Sequence, residues 1–223
     1  LEYSIIGGSS ISFEQVGNSF TFSAPIDYNG SENFTATVTD GDLLDSQSFT
    51  VTVLPVNDAP IATVGLQGTT SEDESIVIIL SGSDLDGDNL TYALIQDATN
   101  GSVTITGTFA TYTPVDNFNG DDSFIFSVSD GDLTDTAEVT LSVTAVNDAP
   151  VFVDIENISF QEEGSGSLTL EADDIDSEDL EYSIIGGSSI SFEQVSDSFT
   201  FSAPTGYNGS ENFIATVTDG DLS

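Results

Sequence analysis

The residues able to do chemistry in this chain are carboxylates, and they recur in four short motifs. Asn57-Asp58-Ala59-Pro60 returns as Asn147-Asp148-Ala149-Pro150. An acidic turn, Ser71-Glu72-Asp73-Glu74, has a counterpart in Gln161-Glu162-Glu163. Ser83-Asp84-Leu85-Asp86-Gly87-Asp88 is matched by Asp173-Asp174-Ile175-Asp176-Ser177-Glu178. A single Asp follows the penultimate expected strand at Asp40, Asp130 and Asp219, each time before Gly-Asp-Leu. In an extended segment alternate side chains share a face, so Asp84 and Asp86 can converge on one ion. Proline fixes φ and stiffens the Asn-Asp-Ala-Pro segment. Clusters of oxygen ligands on flexible segments suit a hard divalent cation, Ca²⁺ best of all.

The rest of the composition sharpens this. The 223 residues include 39 Asp and Glu and no Lys, Arg or His, and Cys, Met and Trp are also absent. Without Cys or His there is no zinc site of the usual kind and no disulfide. Without His or Lys there is no Ser-His-Asp triad and no Schiff base, so the chain is read as a non-enzyme. Without Lys or Arg nothing neutralises phosphate, which argues against nucleic acid and against an anionic membrane surface. The apolar runs, such as Ile76–Leu80, are far too short to span a bilayer. Each carboxylate must therefore stay hydrated, accept hydrogen bonds, take a proton or bind a cation. Taken singly, most acidic residues are solvated surface. Four motifs in fixed order, repeated at matched spacing, are a stronger signal.

The motifs need elements to position them, and the composition supplies strands. With 38% hydrophobic residues, 15 Phe and 6 Tyr, the chain is unlike an acidic disordered tail. Leu1–Leu43 returns almost residue for residue at Leu180–Leu222. A weaker period of half that length links neighbours: Val38–Leu43, Val128–Leu133 and Val217–Leu222, or Tyr28–Phe34, Phe118–Phe124 and Tyr207–Phe213. A unit of about 90 residues suits a β-sandwich rather than a solenoid repeat. The expected organisation is the C-terminal part of one repeat over 1–56, a complete repeat over 57–146, and a repeat lacking its last strand over 147–223. In the complete repeat seven strands are expected: Ile61–Gly65, Ser75–Gly82, Leu90–Ile95, Ser102–Thr106, Phe109–Thr113, Ser123–Ser129 and Thr136–Thr144. Alternation is clear at Phe124, Phe126 and Val128, and at Ala137, Val139, Leu141 and Val143. Turn dipeptides such as Asp86-Gly87 and Asn119-Gly120 separate the strands. The fold class is all-β: tandem Greek-key sandwiches joined by short linkers. With no signal peptide and no starting Met, the chain reads as an internal piece of a longer protein.

In this order, the four motifs resemble those of the cadherin family, closest to the cadherin-like repeats of large microbial surface proteins. The resemblance covers the whole chain. Val56-Asn57-Asp58-Ala59-Pro60 matches the end of the family's linker, though its leading Asp is absent. Ser81–Leu94 resembles the region of its paired aspartates, and Phe126–Leu133 that of its single Asp. The family's Asp-Arg-Glu motif has no Arg counterpart here; Asp116–Asp122, or Tyr28–Glu32, stands in its place.

The resemblance implies Ca²⁺ held between successive repeats. At the first junction the implied ligands are Glu32, Asn57, Asp58, Asp84, Asp86 and Asp130. At the second they are Glu72 or Asp73, Asp122, Asn147, Asp148, Asp174, Asp176 and Asp219. It implies an extracellular, cell-surface structural stalk, adhesin shaft or filament segment, whose partners are neighbouring repeats or other copies in a filament. Two alternatives stand beside it: a fibre subunit joined by strand complementation between chains, and a carbohydrate- or partner-binding module.

Overall fold

The computed structural model describes residues 1–223, and every regular element is a strand. The strands fall into three groups along the chain, and no sheet mixes strands from two groups.

The first group holds β1 (Glu2–Gly7), β2 (Ser12–Val16), β3 (Ser19–Ser23), β4 (Gly30–Thr39) and β5 (Leu44–Val53). They form a β1-β4-β5 sheet and a β2-β3 hairpin. Phe13, Phe22, Phe34 and Phe49 meet edge to face or stacked between them, the favoured geometry for aromatic pairs.

The middle group holds β6 (Ile61–Ala62), β7 (Leu66–Ser71), β8 (Ile76–Ile79), β9 (Gly82–Ser83), β10 (Thr91–Gln96), β11 (Gly101–Thr106), β12 (Phe109–Pro114), β13 (Gly120–Ser129) and β14 (Thr134–Thr144). One sheet runs β10-β13-β14-β7 and the facing sheet runs β11-β12-β8, with a small β6-β9 pair beside them. The alternation expected in β13 and β14 is what closes the sandwich. Phe124, Phe126, Val128, Val139 and Leu141 point inward from one sheet to meet Ile78, Leu80, Val103, Ala110 and Tyr112. Each fully buried large side chain of this kind contributes about 1.5–3 kcal/mol of transfer free energy.

Two expectations for this group need correcting. The strand β7 was not expected, because Leu66-Gln-Gly-Thr-Thr-Ser lacks an apolar alternation. It forms through its backbone, pairing parallel with β14 from Leu66 against Val139 to Ser71 against Thr144. Gly68 permits the fit, since a Cβ there would lie 3.1–3.3 Å from Leu141 and Ile78. The single strand expected over Ser75–Gly82 is two pieces, β8 pairing with β12 and β9 with β6.

The third group holds β15 (Val151–Phe152), β16 (Ser165–Thr169), β17 (Ala172–Asp173), β18 (Glu181–Gly186), β19 (Ser191–Val195), β20 (Ser198–Ser202) and β21 (Phe213–Thr218). Its sheets are β16-β20-β19, β18-β21 and β15-β17, packed over Leu170, Ile184, Phe199 and Phe201. Asp58, Asp84, Asp86, Asp130, Asp148, Asp174, Asp176 and Asp219 lie outside the strands, where two groups meet, while Ser83 and Asp173 end β9 and β17. The β5–β6 and β14–β15 linkers approach the β9–β10 and β17–β18 turns, respectively.

Candidate metal centre

Each Asp-x-Asp turn is built by its first Asp. One oxygen of Asp84, Oδ1, accepts from the backbone N–H groups of Asp86 (2.9 Å), Gly87 (3.0 Å) and Asp88 (3.2 Å). Gly87 sits at φ +83°, the left-handed conformation this reversal needs. In the third group Oδ1 of Asp174 accepts from Asp176 and Ser177, both at 2.8 Å. The second oxygen of each is different. Asp84 Oδ2 and Asp174 Oδ2 are buried and meet no donor, and so is Asp148 Oδ2 in the linker.

The linker is docked on these turns. The Asp58 N–H donates to Asp86 Oδ2 at 2.8 Å, and the Asp148 N–H to Asp176 Oδ2 at 2.7 Å. Asn57 Nδ2 donates to Asp130 Oδ2 at 2.9 Å, and Asn147 Nδ2 to Asp219 Oδ2 at 2.6 Å. The other oxygens of Asp130 and Asp219 accept from the turns that follow them, at 2.7 Å in every case. These donors, the Leu133 and Leu222 N–H groups foremost, hold both carboxyls below their ordinary range.

The linker aspartates behave in the opposite way. Desolvation first, then the charges of Asp27, Asp86 and Asp84, raises Asp58. Desolvation, then Asp176, Asp73, Glu72 and Asp174, raises Asp148. Each linker Asp is thus the meeting point of carboxylates from both sides of its junction. At the second junction an open cleft of about 490 Å³ runs between Asn117 of the middle group and Asp148, Val151 and Asp174 of the third.

Glu72 and Asp73 divide the acidic turn between two tasks. Glu72 is 3% exposed and accepts from the Val146 N–H and from Asn119 Nδ2. Asp73, at φ +62°, is exposed and accepts from the Asn117 N–H at 2.9 Å. A second group of carboxylates gathers on the Asp84 turn itself. One oxygen from each of Asp84, Asp86 and Asp88 lies within 4.8 Å of the others.

Two of the implied ligands are engaged elsewhere. Both oxygens of Glu32 are taken by four hydrogen bonds from Ser9, Ser10 and Ile11, at 2.7–3.0 Å. The Ser9 side chain leads the causes that bring this carboxyl down to about 2. Glu211 repeats the arrangement on Ser188, Ser189 and Ile190 and is likewise held at about 2. Asp122 caps another loop, accepting from Thr99, Asn100, Ser123 and the Tyr112 hydroxyl. Desolvation pushes Asp122 up, but these donors outweigh it and hold it low. With their lone pairs spent on loop donors, Glu32 and Asp122 fasten loops within a repeat.

Sequence reasoning missed Asp27 and Asn117. Both stand at φ +60°, just before Tyr28 and Phe118, and both turn toward the next linker. The third group has Gly206 there, at φ +73°. The available signal was the shared place before Tyr-Asn-Gly or Phe-Asn-Gly, where a polar left-handed residue reads only as a turn.

Whether these residues fit a cation rests on the three orphan oxygens. A buried acceptor without a donor costs about 1–3 kcal/mol, more when charged. The chain has no cationic side chain to supply one. A hard divalent cation meets that need, and the donor set is oxygen throughout.

The family of bacterial Ig domains matches residues 57–142 and 147–223. Among solved structures the chain is similar to mouse protocadherin-24 EC1-3, at 15% identity and TM-score 0.50, over 92% of this chain and 77% of that one. It is similar to Drosophila N-cadherin EC1-4 at 13% identity and TM-score 0.45, over 99% of this chain and 64% of that one. It is also similar to an endo-fucoidan hydrolase from glycoside hydrolase family 107, at 17% identity and TM-score 0.35, over 96% of this chain. The chain spans 38% of that hydrolase's length. No curated protein sequence matches it. At such identities the protocadherin likeness speaks to the fold alone. Taken with the two matched segments and the paired sheets, the chain belongs to the bacterial Ig domain family and has the all-β, tandem, cadherin-like form of that architecture.

Proposed function

We propose that this chain is a segment of an extracellular, non-enzymatic stalk or adhesin shaft whose successive repeats are locked together by Ca²⁺. The repeats are taken as 1–56, 57–146 and 147–223. The observation that carries the reading is the trio of buried, donorless oxygens, Asp84 Oδ2, Asp148 Oδ2 and Asp174 Oδ2, placed where linker and turn meet.

At the first junction Asp58, Asp84 and Asp86 would hold the ion, with Asp27 contributed by the preceding repeat. At the second, Asp148, Asp174 and Asp176 would do so, with Asp73 and Glu72 from the other side. Asn57, Asn147, Asp130 and Asp219 hold the linker in place through their side-chain pairs. Ca²⁺ supplies positive charge that offsets the repulsion among these carboxylates. Without it, the repulsion favours states in which the repeats move apart or swing.

The experiment is a calorimetric titration of Ca²⁺ into protein stripped with a chelator. Extracellular calcium modules bind at about 10⁻⁴–10⁻³ M, so saturable heat in or below that range is expected. No heat up to about ten times that range would overturn the reading.

A second reading, a fibre subunit joined by strand addition, is favoured by one observation. A groove of about 670 Å³, lined by Ile158, Phe160, Leu168, Phe201 and Phe213 beside polar residues that include Glu162 and Glu211, flanks β21 in the third group. In the middle group β14 pairs with the corresponding strand, β13. A strand like β14 would fill that groove. A peptide of the β5 sequence, Leu44–Val53, should then raise the melting temperature of the chain; no shift at saturating peptide would dismiss it.

A further inference from the structure

The strand β8 stands out when the middle and third groups are compared position by position. It pairs with β12 on one side only and is the outer strand of its sheet. Ile79 lies opposite Phe109, and Val77 opposite Thr111. These outward residues are exposed, Val77 at 55%, Ile79 at 63% and Phe109 at 54%.

The same positions in the third group carry hydroxyls. There β16 pairs with β20, with Thr169 opposite Ser198 and Ser167 opposite Thr200. The registers align because Leu80 and Leu170 follow β8 and β16 in the same way. Both are 1% exposed, and each donates its N–H to the carbonyl of the residue just before the partner strand, Thr108 and Asp197 respectively. Ser19 of β3 takes the place of Phe109 in the first group. One sheet face in one repeat has thus exchanged Ser and Thr for Val, Ile and Phe without any inward need for them.

The edge beside this patch is open over the four residues of β8, between Glu74 on one side and the β6-β9 pair on the other. Outer strands are ordinarily blunted by charge, proline or a bulge. β8 reads Ile-Val-Ile-Ile, with no charged residue and no proline. The corresponding β16, Ser-Gly-Ser-Leu-Thr, is weakened by glycine and has little to pack. The unpaired N–H and C=O groups of β8 are complementary to one thing, another extended backbone. The lack of carboxylates on this patch, in a chain with a formal charge of −39, makes it a place where a second copy can approach with little local repulsion.

We propose that two copies of this chain pair antiparallel through β8, edge to edge, about a two-fold axis. The pairing joins the two β11-β12-β8 sheets into one and brings Val77, Ile79 and Phe109 of both copies into a single outward apolar strip. The contact is isologous, so it closes at the dimer. It is small and therefore transient between single chains, and it gains strength when many copies of the stalk are held side by side. It is independent of the metal reading.

Sedimentation velocity of the whole chain over a hundredfold concentration range tests it, in chelator and in Ca²⁺ at moderate salt. A monomer–dimer equilibrium is expected. The combined Val77→Ser, Ile79→Thr and Phe109→Ser variant, which installs what the third repeat carries, should weaken it at least about tenfold. Ile79→Glu, which sets like charges across the axis, should do the same, and circular dichroism should show both variants folded. A wild-type chain that stays monomeric throughout overturns the proposal. So does association that survives in both variants, because it then runs through another surface.

Discussion

In Asp174 one carboxylate oxygen organises a turn and the other lies buried without a donor. Asp174→Asn keeps the first as a carbonyl acceptor and replaces the second with NH₂. Without Ca²⁺ this removes a charge from the set around Asp148 and adds a donor there, so the apo protein should melt at the same temperature or slightly higher. With Ca²⁺ the sign reverses. An ion present at a hundredfold excess over its Kd stabilises the folded form by about 2.7 kcal/mol. Losing even an outer partner of a metal ligand costs about 10–100-fold in affinity. A hundredfold loss brings the ion to its Kd, where it contributes about 0.4 kcal/mol, so about 2.3 kcal/mol is lost. For a unit of 60–100 residues that is a fall of about 9–18 °C in melting temperature. Differential scanning calorimetry in chelator and in Ca²⁺ reads both signs. Equal melting of wild type and variant in both buffers would mean that the buried oxygen faces no ion.

Other outcomes follow from the same structure. Phe126→Ala removes a ring that is 0% exposed and should cost about 3–5 kcal/mol in denaturant unfolding of the middle repeat, with or without Ca²⁺. Glu32 and Glu211 have folded-state carboxyls near 2, below the ordinary 4.5. Their contribution is therefore complete above pH 4.5 and lost as pH falls from there toward 2. Acid unfolding of the double Glu32→Gln, Glu211→Gln variant should show a shallower pH dependence in that window. Gly8→Ala should destabilise the first group measurably, because Gly8 sits at φ +73° and a Cβ would meet the Phe34 ring at 2.6 Å and the Ile11 carbonyl at 2.7 Å. Thermal unfolding compared with Gly17→Ala, an open site at φ +65°, separates the clash from the backbone strain.

How much of this was legible in the sequence depended on where each signal lay. Strand β14 was plain, because Ala137, Val139, Leu141 and Val143 alternate toward one core. Strand β7 was not, because its register is fixed by backbone bonds to β14 and by the room Gly68 leaves, neither of which shows as hydrophobic period. The Asp84–Asp86 and Asp174–Asp176 turns were legible through repetition, and the structure docks a linker N–H on each. Glu32 and Asp122 were placed by family position. Their partners, the N–H groups of residues 9–11 and 99–100, come from loops over 20 residues away in sequence, which no local motif announces. Asp27 and Asn117 hid as turn residues, because a left-handed φ before an aromatic looks the same whether or not a linker lies opposite.

On the proposed reading, Ca²⁺ holds the junction carboxylates together and so stiffens the chain. Small-angle scattering of the same sample in chelator and in millimolar Ca²⁺ tests it most directly. A longer maximum dimension and a narrower spread of shapes are expected with Ca²⁺, both reversed by chelator and both blunted in Asp148→Asn. Superimposable curves in the two buffers, from protein that calorimetry shows to be folded, would contradict it.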